Sequence, residues 1–270
     1  MIEKFRVSSR KRYMNVHDPK SQIVVAELSR NCLLEPPVPE LRSSTIHIWE
    51  FPLTNCESDF DNYAKLLSED ERTRASRFHL ERDAHRFALA RAAVRSILGG
   101  YSGTRSRDLR FDYSRFGKPS LANVARDIRF NVAHSSDLAM LAVALGGEVG
   151  IDLEKIRTEV ETDKLAERFF SPQERESLRA IPKQNRVSAF FRCWSCKEAF
   201  LKAEGLGLSR SLESFDVEVN PEHPARILST RPDPEAAGRW SLHDLPTQRD
   251  YAAAMAAQVS LTAIKIFRCL

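Results

Sequence analysis

Three carboxylates and a lysine stand at spacings suited to moving a phosphate-linked group. In Val149-Gly150-Ile151-Asp152-Leu153-Glu154, apolar residues alternate with Gly150, Asp152 and Glu154. Strand side chains repeat every two residues, so this stretch is expected to be a strand with its apolar set inward and both carboxylates on the other face. Carboxylates at i and i+2 lie roughly 7 Å apart at their Cα atoms, close enough to share one hard cation. Further on, Trp194-Ser195-Cys196-Lys197-Glu198-Ala199-Phe200-Leu201-Lys202 reads as helix. It carries a third carboxylate, Glu198, and one turn later a cation, Lys202. Asp152, Glu154 and Glu198 thus form a candidate Mg²⁺ site with Lys202 beside it. Each piece also has a plainer reading. Asp152 and Glu154 suit the solvent face of an edge strand, and Glu198/Lys202 suits a surface i,i+4 pair worth about 0.3–0.5 kcal/mol.

Other residues invite phosphate chemistry less directly. His134 lies in Phe130-Asn131-Val132-Ala133-His134-Ser135-Ser136-Asp137, where it could bond local backbone or donate to a phosphate with Ser135 and Ser136 adding hydroxyls. These serines lack the spacing of a nucleophile elbow. Phe116-Gly117-Lys118-Pro119 places a lysine in a tight turn, either exposed or clamping a phosphate. Arg72, Arg74, Arg77, Arg82, Arg86, Arg91 and Arg95 line one helical region; most are expected to be solvated, though such clusters bind phosphates. Cys193-x-x-Cys196 supplies two of the four ligands a structural zinc needs and lies inside a helix, so neither metal nor redox work is expected of it.

The elements that must position these groups can be read in order. Residues 1–43, with Pro36, Pro37 and Pro39, form a largely irregular arm in which Ile23–Ala26 could be a short strand. Its basic residues Lys4, Arg6, Arg10, Lys11 and Arg12 read as a solvated tail. Ile46 to Phe51 alternates as a strand. A helical region runs from Ser68 to Leu98, opened by the capping box Ser68-x-x-Glu71 and stopped by Gly99-Gly100. Leu109, Phe111 and Tyr113 alternate, and Leu138–Leu145 is continuously apolar, the mark of a strand buried on both faces. Ser171-Pro172-Gln173-Glu174 opens another helix, with proline at its first position. The helix bearing Trp194, expected in the core, spans about Arg186 to Glu204 and ends at Gly205; Phe215–Val219 and Tyr251–Met255 are late strands. The pattern is α+β in two similar halves meeting near Gly146-Gly147. The expected division is therefore an arm (1–43), an N-terminal lobe (44–147) and a C-terminal lobe (148–270) holding the metal site.

Composition narrows the class. With 270 residues, 42% hydrophobic and 29% charged, the chain is an ordinary globular sequence with material for real cores. A net charge of +4 is too small to argue for nucleic acid but suits an acidic partner or a phosphorylated ligand. Five cysteines at irregular spacing do not make a disulfide framework. There is no apolar run long enough to span a membrane and no secretory leader, so no membrane role and a cytoplasmic location are expected.

Taken in order over about residues 45–260, these motifs resemble the Sfp-type (group II) 4′-phosphopantetheinyl transferases. The matching stretches are Arg72 to Arg95 with Asp83-Ala84-His85-Arg86, Phe116 to Pro119, Phe130 to Ser135, Val149 to Glu154, Phe169-Phe170-Ser171, and Trp194 to Lys202. The resemblance implies a pseudo-twofold pair of α+β lobes with coenzyme A between them. It implies Mg²⁺-dependent transfer of the phosphopantetheine arm to a serine of an acyl or peptidyl carrier protein, releasing adenosine 3′,5′-bisphosphate; a monomer is expected. Carried over by motif, Asp152, Glu154 and Glu198 would hold Mg²⁺, Glu198 would help deprotonate the carrier serine, and Lys202 would neutralise phosphate charge. Lys118, His134 and Ser135 would contact coenzyme A, with Arg74 and Arg86 for its 3′-phosphate. Ala133 departs from a frequent serine, and Glu71 stands where some members have a basic residue. Two rivals remain: a metal-dependent phosphohydrolase using the same carboxylates, and a scaffold that binds coenzyme A or a carrier without transfer.

Overall fold

The computed structural model describes residues 12–14 (backbone only), 22–54, 60–258 and 261–269. Lys4, Arg6, Arg10, Lys11 and the side chain of Arg12 fall outside the described residues. In chain order the elements are β1 (Arg12–Met14), β2 (Gln22–Leu28), β3 (Thr45–Pro52), α1 (Phe60–Ala64), α2 (Glu69–Ala75), α3 (Glu81–Ser102), β4 (Phe111–Tyr113), β5 (Pro119–Leu121), β6 (Ile128–Ser135), β7 (Leu138–Leu145), β8 (Val149–Lys155), α4 (Thr162–Phe169), α5 (Pro172–Ala180), α6 (Arg186–Glu204), β9 (Phe215–Val217), β10 (Ile227–Thr230), β11 (Ser241–Asp244), β12 (Tyr251–Ala257) and β13 (Ala263–Cys269).

Two sheets carry the α+β architecture. One has six strands in the order β1-β2-β13-β3-β7-β6, the other three in the order β11-β12-β8. The strand period divides the core. On β3, Trp49 and Phe51 face α3, which contributes Leu89, Ala92, Ala93 and Ile97 to the same cluster. Ile46 and Ile48 turn the other way, toward Val149, Ile151 and Leu153 of β8 and Met255 of β12. The opposite face of the three-stranded sheet packs on α6 through Ala254 and Ala256. The layers are therefore helix, sheet, sheet, helix, each lobe contributing one sheet and one long helix. Within the stretch 148–270, β13 lies apart from its neighbours in sequence and runs between β2 and β3, parallel to both.

The helical region between Ser68 and Leu98 is two helices. The first, α2, ends at Ser76 and meets α3 through buried Glu71, which pairs with Arg91 and Arg95. Helix α3 passes through Gly99 and Gly100 and ends at Ser102. A Cβ at Gly99 would lie 2.8 Å from the Thr104 carbonyl, and one at Gly100 2.6 Å from Val38, so these glycines serve close packing. The stop is Gly103, whose φ of +72° is the left-handed conformation glycine adopts freely. Arg186–Glu204 forms as expected and ends at Gly205, also left-handed. The second capping box is present: Ser171 N–H donates to Glu174 at 2.9 Å, and Ser171 Oγ accepts from Glu174 N–H at 3.3 Å. Ile23–Ala26 lies within the longer β2, which makes that part of the arm a sheet strand.

Among the five cysteines, Cys32 and Cys269 form a disulfide that ties the segment after β2 to β13. Their separation of 237 residues explains why spacing does not announce it. Cys193 and Cys196 are free and buried in α6, and burial pushes both thiols well up, which suits a packing role. Cys56 lies outside the described residues. Among the described residues no helix is long and apolar enough to cross a membrane.

Two close contacts anchor α6. Fully buried Lys197 lies 2.7 Å from the Glu174 carboxylate and donates to the carbonyls of Leu212 and Phe215 at 2.9 and 2.7 Å. Glu174 in turn accepts the Val217 N–H at 2.8 Å. Lys197→Met would leave that carboxylate buried and unpaired, and is expected to cost about 3–5 kcal/mol in urea unfolding. The second contact is at Gly150, where a Cβ would lie 2.2 Å from the Ala199 carbonyl oxygen and the Ala203 nitrogen. Both are backbone atoms of a helix and cannot swing aside. Gly150→Ala is expected to destabilise by at least about 1–3 kcal/mol, read as a lowered Tm.

Candidate functional site

The alternation of β8 places Gly150, Asp152 and Glu154 toward α6, and the contact over Gly150 brings that helix onto the strand. Asp152 is accordingly buried, at 3% exposure. β8 is an edge strand, as that reading has it, but the solvent face fails: Asp152 is buried and Glu154 half-buried, because both faces of β8 are covered. Lys202 of α6 donates to Asp152 Oδ1 at 2.6 Å, a pairing across elements. Asp152 Oδ2 is buried with no hydrogen-bond partner among the described residues. Glu154 and Glu198 are half-buried on either side. Burial pushes the carboxyls of both glutamates up, and the neighbouring Asp152 carboxylate adds to each shift. Lys202 acts the other way on both. Asp152, Glu154, Glu198 and Lys202 therefore form one electrostatic cluster. Among the described residues, no three acidic, histidine or cysteine groups are drawn close enough to hold an ion as they stand.

Ser135 belongs to this cluster. Its Oγ lies 3.3 Å from Glu154 Oε2 and accepts the Lys155 N–H at 3.0 Å. Four residues earlier, Asn131 Oδ1 accepts the Ile151 N–H at 2.9 Å. His134, between them on β6, is exposed. Arg86 reaches the same end of β6 from α3 and pairs with Asp137 in the turn to β7. Arg74 is placed apart: exposed on α2, its guanidinium lies 5.1 Å over the ring of Phe87. Arg77 and Arg82 are exposed, as expected of the row, whereas three others have structural work to do. Arg91 and Arg95 pair with buried Glu71, which also accepts the Ser68 N–H at 3.1 Å, and Arg72 donates to the Leu67 carbonyl.

Lys118 sits at the opposite end of β8 from Glu154. Its Nζ donates to Glu148 at 2.5 Å and to the Ala203 carbonyl at 2.7 Å, pinning the turn after β4 to the end of α6. Burial pushes its ammonium down, with Glu148 opposing. A cleft of about 370 Å³ opens there, lined by Tyr113, Ser114, Lys118, Arg129, Glu148 and Glu204 among others. Sequence reasoning missed Glu148, which stands next to a motif without belonging to it, and gave no role to Asp137, the last residue of the Phe130–Asp137 stretch. Asn131 was in view inside its motif but carried no chemistry of its own to single it out.

Comparison with known proteins decides the family. Residues 148–256 match the 4′-phosphopantetheinyl transferase superfamily, and residues 53–145 match a 4′-phosphopantetheinyl transferase N-terminal family. The chain is 39% identical over 231 residues to the 4′-phosphopantetheinyl transferase HetI of Nostoc, covering 85% of this chain and 94% of that one. The chain belongs to the 4′-phosphopantetheinyl transferases. The transferase Sfp of Bacillus subtilis is 34% identical, with 65% of this chain and 76% of that one covered. Among solved structures, the "Chronobacterium ammoniagenes ACPS-CoA complex" aligns over 42% of this transferase and 96% of that chain, at 20% identity and a TM-score of 0.30.

The raised carboxyls of this transferase have a defined consequence. A folded-state pKa above the unfolded one favours folding most while the group is protonated. That contribution is present below the unfolded value and lost as pH rises through the folded one. Glu198→Gln removes the cost of ionising this group in place. Without added divalent ions, the variant is expected to have a higher Tm than the parent at pH 7.5, with the gain shrinking toward pH 4. Thermal scans across that range check it.

Proposed function

We propose that this transferase moves the 4′-phosphopantetheine arm of coenzyme A onto a serine of an apo acyl or peptidyl carrier protein. The observation that carries the reading is the meeting of Asp152, Glu154 and Glu198 with Lys202 where β8 lies against α6. The serine oxygen attacks the phosphorus bearing the pantetheine. A phosphodiester forms, the phosphoanhydride bond breaks, and adenosine 3′,5′-bisphosphate leaves.

Each residue contributes a separate effect. A serine hydroxyl is a weak nucleophile near neutral pH, so Glu198 accepts its proton, directly or through a water. The upward push on the Glu198 carboxyl brings its basicity nearer the working pH. Lys202, already placed at Asp152, offsets negative charge gathering on the phosphate oxygens. The donor set suits Mg²⁺: all three side chains are hard oxygen donors, and one buried Asp152 oxygen lacks a partner. Held by Asp152, Glu154 and Glu198, Mg²⁺ supplies charge neutralisation on the pyrophosphate. His134, Ser135 and Lys118 are assigned to coenzyme A, and Arg74 and Arg86 to its 3′-phosphate. For Arg86 and Lys118 this means exchanging or sharing Asp137 and Glu148.

The excess of basic residues suits acidic carriers. We take the protein to act as a cytoplasmic monomer without nucleic acid or membrane. Incubating it with apo carrier proteins, coenzyme A and Mg²⁺ is expected to add about 340 Da to a carrier serine, read by intact-protein mass spectrometry. EDTA abolishes the gain. Glu198→Gln is expected to slow transfer by about 10²–10⁴-fold while coenzyme A still binds. Mg²⁺-dependent release of nucleotide without a carrier would instead favour the phosphohydrolase, and coenzyme A binding without transfer the scaffold.

A further inference from the structure

The two sheets meet at β6 and β8, each the edge of its own sheet, and no backbone ladder joins them. Asn131 bonds to Ile151 and Ser135 to Lys155, so residue number rises the same way along both strands, with the same interval of four. β12 fixes β8 through seven paired positions, yet both strands belong to the second lobe. α6 also packs on β8 from within that lobe. These contacts hold β8 within its lobe; against the first lobe it has the short connection from β7, non-directional apolar packing on Ile46 and Ile48, and the side chains of β6.

We propose that Asn131 and Ser135 are positioning residues, two side-chain acceptors that replace a ladder and fix the height of the carboxylate strand against the first lobe. The proposal rests on the transfer reading above, since its purpose is to hold Asp152 and Glu154 at a set distance from His134 and Arg86. Several observations support it. Asn131 is buried at 6% exposure and its oxygen is spent on one backbone donor. Ala133, midway between the two acceptors, is buried with a methyl that bonds nothing. Arg129 at the start of β6 adds an ion pair to Glu148, just before β8, so Asn131 and Ser135 are the β6 side chains that hold the β8 backbone itself. Ser135 makes a further contact, to Glu154 Oε2, and so orients the carboxylate as well as its strand. Strand displacement is severe in its effects: one residue turns every side chain to the opposite face, and two carry each carboxylate about 7 Å along the sheet. Ser135 on this view works through Glu154 and Lys155 rather than chiefly through coenzyme A.

The test has two arms. In protein free of coenzyme A, amide hydrogen exchange is followed at Ile151 and Lys155. Asn131→Ala is expected to speed exchange at Ile151 about tenfold or more, and Ser135→Ala at Lys155, while Ser135→Thr, which keeps the hydroxyl, restores protection. In the transfer assay, Asn131→Ala is expected to lower kcat about tenfold with KM for coenzyme A within about twofold, because Asn131 is buried and bonds to the β8 backbone. Unchanged exchange in both alanine variants would overturn the proposal. So would a rise in KM with kcat intact, which would make these residues coenzyme contacts. If Asn131→Ala does not fold, Ser135→Ala, which removes one hydroxyl at a half-buried site, decides through Lys155. A parent protein that transfers nothing would sink the transfer reading, while the exchange arm would still decide whether the two side chains hold β8.

Discussion

The approach of α6 to β8 over Gly150 is the constraint from which the site follows. With no side chain at that position, the backbone of Ala199 and Ala203 rests directly on the strand. Glu198 and Lys202 are the residues immediately before these two. Their side chains therefore arrive beside Asp152. Any larger residue at 150 would lift the helix, and the lysine and carboxylates would separate together. The buried Lys197–Glu174 pair serves the same end from the far side of α6, tying it to α5 and to β9.

The cluster is electrostatically lopsided, and that is informative. Most buried acids in this molecule have dedicated cations: Glu71 has Arg91 and Arg95, Glu174 has Lys197, Glu50 has Arg268. Among the described residues, Asp152, Glu154 and Glu198 have Lys202 in common, paired with Asp152, and Arg157 adds a weaker pull on Glu154. A protein selected for stability alone would dilute such a concentration of carboxylates. Their placement beside one another suits the positive charge that the proposed Mg²⁺ would bring.

How much could be read beforehand depended on the range of the interaction. Period-two alternation located β8, and the cap residues and Gly205 bounded α6, because those signals lie within a few residues of what they specify. The pairing of Asp152 with Lys202 was hidden, since a lone Glu198/Lys202 pair on a helix looks like surface. Gly150 looked like one more small residue in an alternation, although its value lies in a backbone fifty residues away. The break between α2 and α3 was missed because a charge-rich helix without an apolar stripe reads as continuous with its neighbour. Gly99 and Gly100 were taken for a stop because glycine serves both close packing and helix termination, and only the three-dimensional neighbours tell the two apart. The Cys32–Cys269 bridge and the insertion of β13 between β2 and β3 are long-range facts that no local pattern carries.

The place of β13 bears on how the molecule is made. A ribosome delivers β2 and β3 long before β13, yet β13 is the strand that lies between them. During synthesis the first sheet has a vacant slot one strand wide, flanked by unpaired edges of the kind that recruit other chains. The first lobe thus cannot complete its sheet while the second is still being translated, and the nascent chain must carry an open template through most of its growth. The second lobe's own sheet has all its strands by Ala257, so the first lobe, begun earlier, is the one whose sheet closes last, with Ala263–Cys269.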